Sequence, residues 1–340
     1  MMADIGLDLG TRSILIYGRR RILLNEPSVA ALDIYTNEVV CLGREAEEMR
    51  GRTPERLRII RPLSGGVISD YTMTSLMVNY FIRKVCYSSL IKPRVAMCVP
   101  SGITEVELRA AIRAAYAAEA RRVYLIDEPV AAAIGAGVDF SGARGVMMLD
   151  IGGGTADAAL LSMDGIISKS SLKIAGDSFD EAIARHIRRK YDLIIGEMTA
   201  ERIKIELGTL TGRDEAGTME VKGRSAVTGL PARIEITWRD VFEPVRDTAE
   251  QLAEVFGMAL EQAPPELVGD LKESGVVMPG GGSLLHGLDS FISERTGIAA
   301  RIAPRPIECV AVGTGKSLDM VGELSDGFKE IPPPDSGNIY

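Results

Sequence analysis

One arrangement of chemically useful residues occurs twice in this sequence. Residues 4–14 read DIGLDLGTRSI, and residues 146–160 read VMMLDIGGGTADAAL. In each copy an apolar strand leads to an aspartate, Asp8 or Asp150, then to a Gly/Thr turn and a second apolar run. This pattern predicts a β-hairpin with a carboxylate at its tip. Two such hairpins facing each other would form a clamp for a metal-bound polyphosphate.

Turns rich in glycine suit phosphate binding, because backbone N–H groups can approach a phosphate closely where no Cβ intervenes. A lone Asp-x-Gly sequence is also typical of an ordinary turn, so the repetition is what favours a phosphate site. We expect Asp8 and Asp150 to face Mg²⁺ through its waters, since Mg²⁺ usually retains several. The candidate phosphate-binding residues are Gly10, Thr11, Arg12, Ser13, Gly152, Gly153, Gly154 and Thr155.

A third carboxylate lies between a predicted strand and a predicted helix, in the sequence Asp127-Glu128-Pro129. At a helix N-terminus Glu128 could simply interact with the helix dipole. It could instead orient a water molecule at a γ-phosphate with help from Thr155, because phosphoryl transfer depends mainly on positioning and electrostatics. Glu128 and Thr155 are therefore the candidate catalytic residues.

Two further segments could bind a nucleoside. Glu201 and Lys204 share one face of a predicted helix at i, i+3 spacing. They could bracket a ribose and base, or they could form a surface ion pair. A glycine-rich turn after a predicted strand could lie flat against a purine or ribose, or could be a loose connection to a helix. The candidate residues of this turn are Gly280, Gly281, Gly282, Ser283 and Leu284.

Other nucleotide-binding and catalytic patterns fail. The P-loop pattern that residues 313–317 resemble requires glycine at the position of Val310. The dinucleotide fingerprint G-x-G-x-x-G fails because Asp157 occupies its last position. His186 and His286 are the only histidines and lie far apart in the sequence, which argues against a histidine-centred hydrolase.

Composition sets further bounds. The 340 residues suffice for two domains with separate cores, and a composition of 46% hydrophobic and 25% charged residues is typical of globular proteins. A net charge of −8 and 5% aromatic residues argue against a nucleic-acid partner. We expect neither a signal peptide nor a membrane-spanning helix, since Asp4 interrupts the N-terminus and no apolar run approaches ~20 residues. The expected location is cytoplasmic.

Predicted strands and helices alternate along the chain, which favours α/β layers. The two aspartates are 142 residues apart (150 − 8), a domain-sized spacing that predicts two related domains with the ligand between them. The tail from Gly327, with three consecutive prolines, is predicted to be poorly ordered. Strands are predicted at 4–9, 14–17, 21–24, 28–32, 94–99, 123–126, 218–222, 233–237 and 275–278, and helices at 72–85, 104–120, 178–191, 199–207 and 241–262.

These motifs resemble those of the actin, sugar-kinase and heat-shock-chaperone ATPase superfamily, and they occur in that superfamily's order. Within it, the chain is similar to the MreB family of bacterial actins over nearly its whole length. The segments that carry the likeness are NEPSVAAL (25–32), GRTPERLRIIRPLSGGVISDY (51–71), CVPSGIT (98–104), IDEPVAAAIGA (126–136), AGDSFDEAI (175–183) and IECVAVGTGKSLD (307–319).

The resemblance implies an α/β fold of duplicated actin-like (ribonuclease H-like) ATPase domains, with two small inserted subdomains around a nucleotide cleft. It implies that ATP or ADP binds with Mg²⁺ and that Glu128 and Thr155 orient the lytic water. It also places Glu201 and Lys204 on the helix that contacts adenosine. The implied subdomains are IA (1–32, 68–140 and 312–340), IB (33–67), IIA (141–175 and 245–311) and IIB (176–244).

The same resemblance implies partners. The chain would polymerise with itself into paired protofilaments at the inner face of the cell membrane. There it would guide membrane proteins of cell-wall elongation and so maintain rod shape. Many relatives bind the membrane through an N-terminal amphipathic helix, for which we expect no room before Asp4. Leu90 and Ile91, beside Lys92, are the candidate membrane-contacting residues, although they could equally cap a helix in the core.

The chain departs from the family pattern beside the predicted phosphates. Arg12-Ser13 stands where small residues followed by Asn are more frequent, and Thr155-Ala156-Asp157 stands where Thr-Thr-Glu is more usual. These positions bear on the hydrolysis rate. Two alternatives stay open: a non-polymerising adaptor ATPase and a small-molecule kinase. A kinase would need an additional carboxylate as a base, and a chaperone would need a peptide-binding domain after the ATPase.

Overall fold

The chain forms two large β-sheets flanked by helices, with smaller sheets attached. The computed structural model describes residues 4–65, 67–68, 70–86, 91–99, 104–324 and 327–333. The strands, in chain order, are β1 Ile5–Leu9, β2 Ser13–Gly18, β3 Arg21–Pro27, β4 Ala30–Asp33, β5 Val39–Leu42, β6 Leu57–Ile60, β7 Leu63–Ser64, β8 Val67–Ile68, β9 Arg94–Val99, β10 Arg122–Asp127, β11 Val146–Ile151, β12 Ala156–Ser162, β13 Gly165–Leu172, β14 Leu193–Ile194, β15 Met219–Ser225, β16 Pro231–Ile236, β17 Val276–Met278, β18 Ala300–Ile302 and β19 Phe328–Ile331.

The helices, in chain order, are α1 Arg44–Met49, α2 Tyr71–Cys86, α3 Glu105–Ala117, α4 Glu128–Ala136, α5 Gly176–Tyr191, α6 Glu197–Leu207, α7 Trp238–Glu261, α8 Pro265–Ser274, α9 Leu288–Thr296 and α10 Cys309–Lys316. The predicted helices at 72–85, 104–120, 178–191, 199–207 and 241–262 are confirmed with boundaries that differ by up to three residues, whereas α1, α8 and α10 were not predicted. Short 3-10 turns occupy Asp214–Ala216, Gly281–Leu284 and Ser317–Asp319.

The two large sheets share the order and direction of five strands, and the first sheet has β19 as a sixth strand. The first has the strand order β3-β2-β1-β9-β10-β19, and the second has the order β13-β12-β11-β17-β18. In each, three antiparallel strands form a meander, and the first of them pairs in parallel with a later strand, β1 with β9 and β11 with β17. The repeated order and direction confirm the predicted duplicated α/β fold.

The prediction of a poorly ordered tail was wrong for residues 328–331, which form β19 along the outer edge of the first large sheet. Strand β19 pairs antiparallel with β10. The Phe328 ring stacks on that of Tyr124 with 5.4 Å between centroids, and the Tyr116 hydroxyl donates to the Ile331 carbonyl at 2.6 Å. Aromatic burial and sheet pairing outweigh the effect of the prolines, which begin only after the strand.

Two three-stranded sheets occur within the segments predicted as small subdomains. One has the order β5-β4-β6, and the other has the order β14-β15-β16. Strand β4 belongs to the first of these sheets, so that sheet begins three residues before the predicted boundary at residue 33. The subdomain limits themselves stay a prediction.

The molecule has a first half, built on the first large sheet, and a second half, built on the second large sheet. Helices α4 and α10 cross beneath the space between these halves. Each follows the last parallel strand of its own half, β10 or β18. A Cβ on Gly313 of α10 would lie 1.7 Å from the Ala131 carbonyl oxygen, and one on Gly135 of α4 would lie 1.8 Å from that of Cys309. The backbones therefore touch, and buried residues of both halves share one apolar core around them. Among the described helices, none is both long and apolar enough to cross a membrane.

We predict that Gly313→Ala lowers the free energy of unfolding by about 2 kcal/mol, because the added methyl group must push α4 and α10 apart. Urea denaturation would measure the loss. Gly257→Ala in α7 is the matched control: a Cβ there has open space, so the change should be neutral or stabilise by up to about 1 kcal/mol. Equal stability of both variants would contradict the prediction.

Candidate functional site

The two aspartate hairpins contribute to the wall of a single cavity of about 420 Å³ between the halves of the molecule. The cavity is open to solvent on one side and has a largely apolar lining. Most of the residues singled out from the sequence line it. They are Asp8, Gly10, Thr11, Arg12, Ser13, Glu128, Asp150, Gly152, Gly153, Thr155, Glu201, Lys204, Gly280, Gly281, Gly282 and Leu284.

The hairpins themselves form as the sequence predicts. Asp8 pairs across the strands with Leu15, and Asp150 pairs with Asp157. In the second hairpin the turn is closed by a hydrogen bond from the Gly152 N–H to the Thr155 carbonyl at 2.9 Å. Residues of both turns line the cavity, and glycine-rich turns of this kind are typical of phosphate sites.

Helix α5 begins directly on the second hairpin. The N–H groups of Gly176 and Asp177 donate to the carbonyls of Gly152 and Gly153, at 3.1 and 2.7 Å. These bonds satisfy N–H groups that the first turn of a helix would otherwise leave unpaired. The positive end of the α5 dipole is thereby fixed beside the predicted phosphate position, where it favours an anion.

The third glycine-rich turn packs on the second aspartate. Gly280 has φ +85, and a Cβ there would lie 2.2 Å from the Ile151 carbonyl and 2.4 Å from Asp150 Oδ1. Only glycine fits this close approach and this conformation. The Ser283 hydroxyl donates to the Gly280 carbonyl at 2.7 Å, so it supports the turn from behind, whereas Leu284 faces the cavity.

Three carboxyl groups at the cavity wall have raised pKa values, with burial as the largest cause. Burial raises the pKa of Asp8 to about 7. Burial, and then the charges of Asp157, Asp150 and Asp8, raise the pKa of Glu128 well above its ordinary value. The pKa of Asp150 is likewise raised, first by burial and then by Asp157 and Asp8. The site thus concentrates negative charge that a bound cation would neutralise.

The same residues suit a hard divalent cation. Within the described part of the chain, Glu128 Oε2 and Asp150 Oδ2 are buried oxygens without a hydrogen-bond partner. Carboxylate oxygens are the ligands that Mg²⁺ prefers, directly or through water. Among the described residues, no three His, Cys, Asp or Glu side chains are grouped so as to hold an ion. The unpartnered oxygens of Glu128 and Asp150 therefore fit a divalent cation, held directly or through its waters.

Arg12 contacts carboxylates of the other half of the molecule. Its Nε donates to Asp177, its Nη2 lies 2.6 Å from Asp180 Oδ2, and its Nη1 lies 3.2 Å from Glu201 Oε2. Burial opposes the charge of Arg12, but these three neighbours outweigh it and raise the pKa of the guanidinium above its ordinary value. All three guanidinium nitrogens of Arg12 therefore meet carboxylates of the other half of the molecule.

Lys204 pairs with one of these carboxylates, Asp180. Its Nζ lies 2.8 Å from Asp180 Oδ1 and donates to the Gly176 carbonyl at 2.9 Å. Burial raises the pKa of Asp180, while Lys204 and Arg12 act in the opposite sense. We treat Asp180 as ionised because two cationic nitrogens lie within 2.8 Å of it. Glu201, which pairs with Arg12, and Lys204, which pairs with Asp180, both line the cavity.

Two predicted site residues, Gly154 and Ser283, are not part of the cavity lining. Of the two membrane candidates, only Ile91 is among the described residues. Gly154 lies at the contact between the hairpins, where a Cβ would be 2.8 Å from Thr11 Oγ1. Ser283 lies behind its turn. Leu90 lies outside the described residues, and Ile91 is 43% exposed.

Several lining residues were missed by the sequence analysis. Phe179 and Gly176 come from α5, and His286 accepts or donates a hydrogen bond with Thr209 at 2.9 Å. Only the tertiary fold brings them together. The spacing Asp177-x-x-Asp180 places two carboxylates on one face of α5 and could have indicated a cationic partner, but it does not identify Arg12. The other missed lining residues are Leu9, Leu15, Ile205, Leu285, Pro306, Ile307 and Val310.

The repeated sheets and the cleft between them define an actin-like fold. Two solved structures of MreB5 from Spiroplasma citri share it, one bound to ADP and one bound to AMPPNP. Their TM-scores are 0.90 and 0.87 at 32% and 31% identity, and the likeness covers 94% of this chain and 97% of each of theirs.

Sequence comparison defines the family. The family model for the MreB/Mbl protein matches residues 2–326. The cell shape-determining protein Mbl of Bacillus cereus is 44% identical over 323 residues, covering 94% of this chain and 97% of the relative. The cell shape-determining protein MreB of Escherichia coli K12 is 44% identical over 325 residues, covering 94% of each. The chain belongs to the MreB/Mbl family.

We predict that Asp8 makes the chain less stable as the pH rises from about 4 to about 7. The folded state holds this proton more tightly than the unfolded state, whose carboxyl has a pKa near 3.8, so unfolding releases a proton in this range. Asp8→Asn should therefore raise the free energy of unfolding at pH 8 by about 2 kcal/mol, roughly half the full linkage value because Asp8 is partly exposed.

Urea denaturation in EDTA without nucleotide would measure this effect at pH 4.5 and pH 8. The gain should shrink at pH 4.5 to about a quarter of its value at pH 8, because Asp8 is then protonated in the folded chain but already largely ionised in the unfolded chain. Glu261→Gln, at an exposed position, is the control for loss of a surface charge. A gain that is the same at both pH values would contradict the prediction.

Proposed function

We propose that this chain is a cytoskeletal ATPase that binds ATP with Mg²⁺, hydrolyses it slowly and assembles into actin-like filaments that determine cell shape. The observation that carries the proposal is the cavity between two copies of one aspartate hairpin. Membership of the MreB/Mbl family supports it, as do relatives named as cell shape-determining proteins. A relative at 32% identity binds ADP in its solved structure.

The lining suggests how a nucleotide would lie. The triphosphate would rest on the turns at Gly10–Ser13 and Gly152–Thr155, whose glycines allow close approach of the phosphates to the backbone. The adenosine would lie between α6, with Glu201 and Lys204, and the turn Gly280–Leu284. Ile205, Leu285 and Ile307 give this part of the lining an apolar surface that suits a purine.

Asp8 and Asp150 would hold the magnesium ion, through its waters, beside the phosphates. When bound, this ion neutralises charge on the polyphosphate. It would also favour the ionised forms of the neighbouring carboxyl groups, whose pKa values are raised in the metal-free chain.

Glu128 would orient the attacking water with help from Thr155, which belongs to the turn of the second hairpin. Glu128 is the first residue of α4, so its backbone is fixed by the helix that crosses α10. A buried oxygen of this carboxylate lacks a hydrogen-bond partner in the described part of the chain, which leaves it free to accept a proton or a hydrogen bond from water.

Self-association into paired protofilaments, contact with the inner membrane surface and cooperation with membrane proteins of cell-wall elongation are further parts of the proposal. Ile91, together with Leu90, would contact the membrane, since an exposed apolar residue beside Lys92 can enter the lipid interface. A non-polymerising adaptor or a small-molecule kinase would share the cleft but would not form filaments.

We predict that Glu128→Ala retains ATP binding but slows phosphate release by about 10-fold to 100-fold, because the water loses its orienting group. A fluorescent nucleotide measures binding, and a phosphate sensor measures release. Glu128→Gln keeps the size of the side chain and should be slow as well, because an amide oxygen accepts a proton poorly. Turnover at the unmodified rate in both variants would remove Glu128 from the mechanism.

We predict that the unmodified chain sediments as filaments with ATP and Mg²⁺, and that electron microscopy shows paired protofilaments. Monomers that persist with bound ATP would support the adaptor alternative.

Liposomes added to the same reaction should carry the protein to the lipid fraction, and Leu90→Ser with Ile91→Ser should abolish this transfer while leaving filaments intact. Unchanged lipid binding by the double variant would exclude these two residues as the contact.

A further inference from the structure

Arg12 joins the two halves of the molecule inside the cleft. Its loop lies between β1 and β2 in the first half, whereas its partners lie on α5 and α6 of the second. All three guanidinium nitrogens are used, for Asp177, Asp180 and Glu201 in turn. One side chain therefore bridges a loop of the first half and two helices of the second.

The stem of this side chain is also held in place. A Cβ on Gly153 would lie 2.2 Å from Arg12 Cγ, so the backbone of the second hairpin lies directly against the stem. The Arg12 side chain is only 21% exposed. Charge-assisted hydrogen bonds with limited access to water are stronger than those on an open surface.

Helix α6 receives a second arginine from the first half. Arg50 lies 3.2 Å from Glu197 and 2.8 Å from Glu47 of its own half. Glu197 and Glu201 are four residues apart, so they share the face of α6 that is directed at the first half. Of these two arginines, Arg12 is the one that lines the cavity.

These contacts form part of the cavity wall. Arg12, Gly176, Glu201 and Lys204 all line the cavity. Moving α5 and α6 away from the first hairpin would widen the cavity at this wall and would break the bonds to Arg12. Opening of the wall and loss of the Arg12 contacts are therefore one event.

We propose that Arg12 is a positioning residue that holds the cleft closed over a bound nucleotide and thereby limits the rate at which the nucleotide leaves. This inference rests on the proposed nucleotide site. It gives Arg12 a role other than phosphate ligand, because its donors meet carboxylates of α5 and α6. Asp177 on α5 and Glu201 on α6 are then acceptors through which Arg12 holds the second half.

The test measures release of a fluorescent ADP analogue from the full chain after addition of excess unlabelled ADP. Arg12→Ala should accelerate release about tenfold, which corresponds to ~1.4 kcal/mol. The release rate of Arg12→Lys should lie between those of Arg12→Ala and the unmodified chain, because a single ammonium group cannot reproduce the forked contact with three carboxylates. The control is Arg144→Ala, which removes an exposed arginine whose partner, Glu273, lies in the same half, and should leave the rate unchanged.

Asp177→Asn separates this role from phosphate binding. If Arg12 closes the cleft, weakening its partner should accelerate release about threefold, and adding Asp177→Asn to Arg12→Ala should have no further effect. If Arg12 were a phosphate ligand restrained by Asp177, the same substitution would free it and slow release. Slower release from Asp177→Asn would overturn the inference.

Two further outcomes are decisive. An unchanged release rate in Arg12→Ala, with a urea midpoint like that of the unmodified chain, would overturn the role of Arg12 while leaving the nucleotide site intact. Failure of the unmodified chain to bind the analogue at all would overturn the proposed function, and the role of Arg12 with it.

Discussion

The structure depends on the backbone contact between α4 and α10. Each helix continues the last parallel strand of its half, and each has a glycine where the other crosses, Gly135 and Gly313. Because no side chains separate them, the two helices can cross at the base of the cleft. Glu128 begins α4, and β1 packs on α10 through Gly6, whose Cβ would lie 2.2 Å from the Gly315 nitrogen. The contact thus sets the position of both a carboxylate and the first hairpin.

The hairpins bring acidic groups together at a cost in stability. Asp8, Glu128 and Asp150 all have raised pKa values, with burial as the largest cause. An apolar set of side chains would be more favourable for folding alone, since buried like charges oppose ionisation. The arrangement suits a binding site, because a bound cation would stabilise the ionised carboxylates. Functional sites commonly lower the stability of the fold that carries them.

Local patterns were enough to predict the hairpins, the Gly280–Leu284 turn and the position of Glu128, because each depends on residues close in the sequence. The partners of Arg12 were not predictable in this way, since 165 residues separate it from Asp177. The bond between His286 and Thr209 likewise joins segments far apart in the chain. Strand β19 was missed because its four residues, Phe-Lys-Glu-Ile, do not alternate and stand directly before the prolines. Its pairing with β10 and the stacking of Phe328 are tertiary contacts that decide the outcome.

Strand β19 has a consequence for the order of folding. It completes the sheet of the first half but is encoded after the entire second half, and α10, which packs on β1, also comes after the strands of the second half. The two repeats are each domain-sized, yet the first cannot assemble its own sheet and core until the second has been synthesised. The chain is therefore expected to fold as one topologically closed unit, with many contacts of high sequence separation and correspondingly slow kinetics.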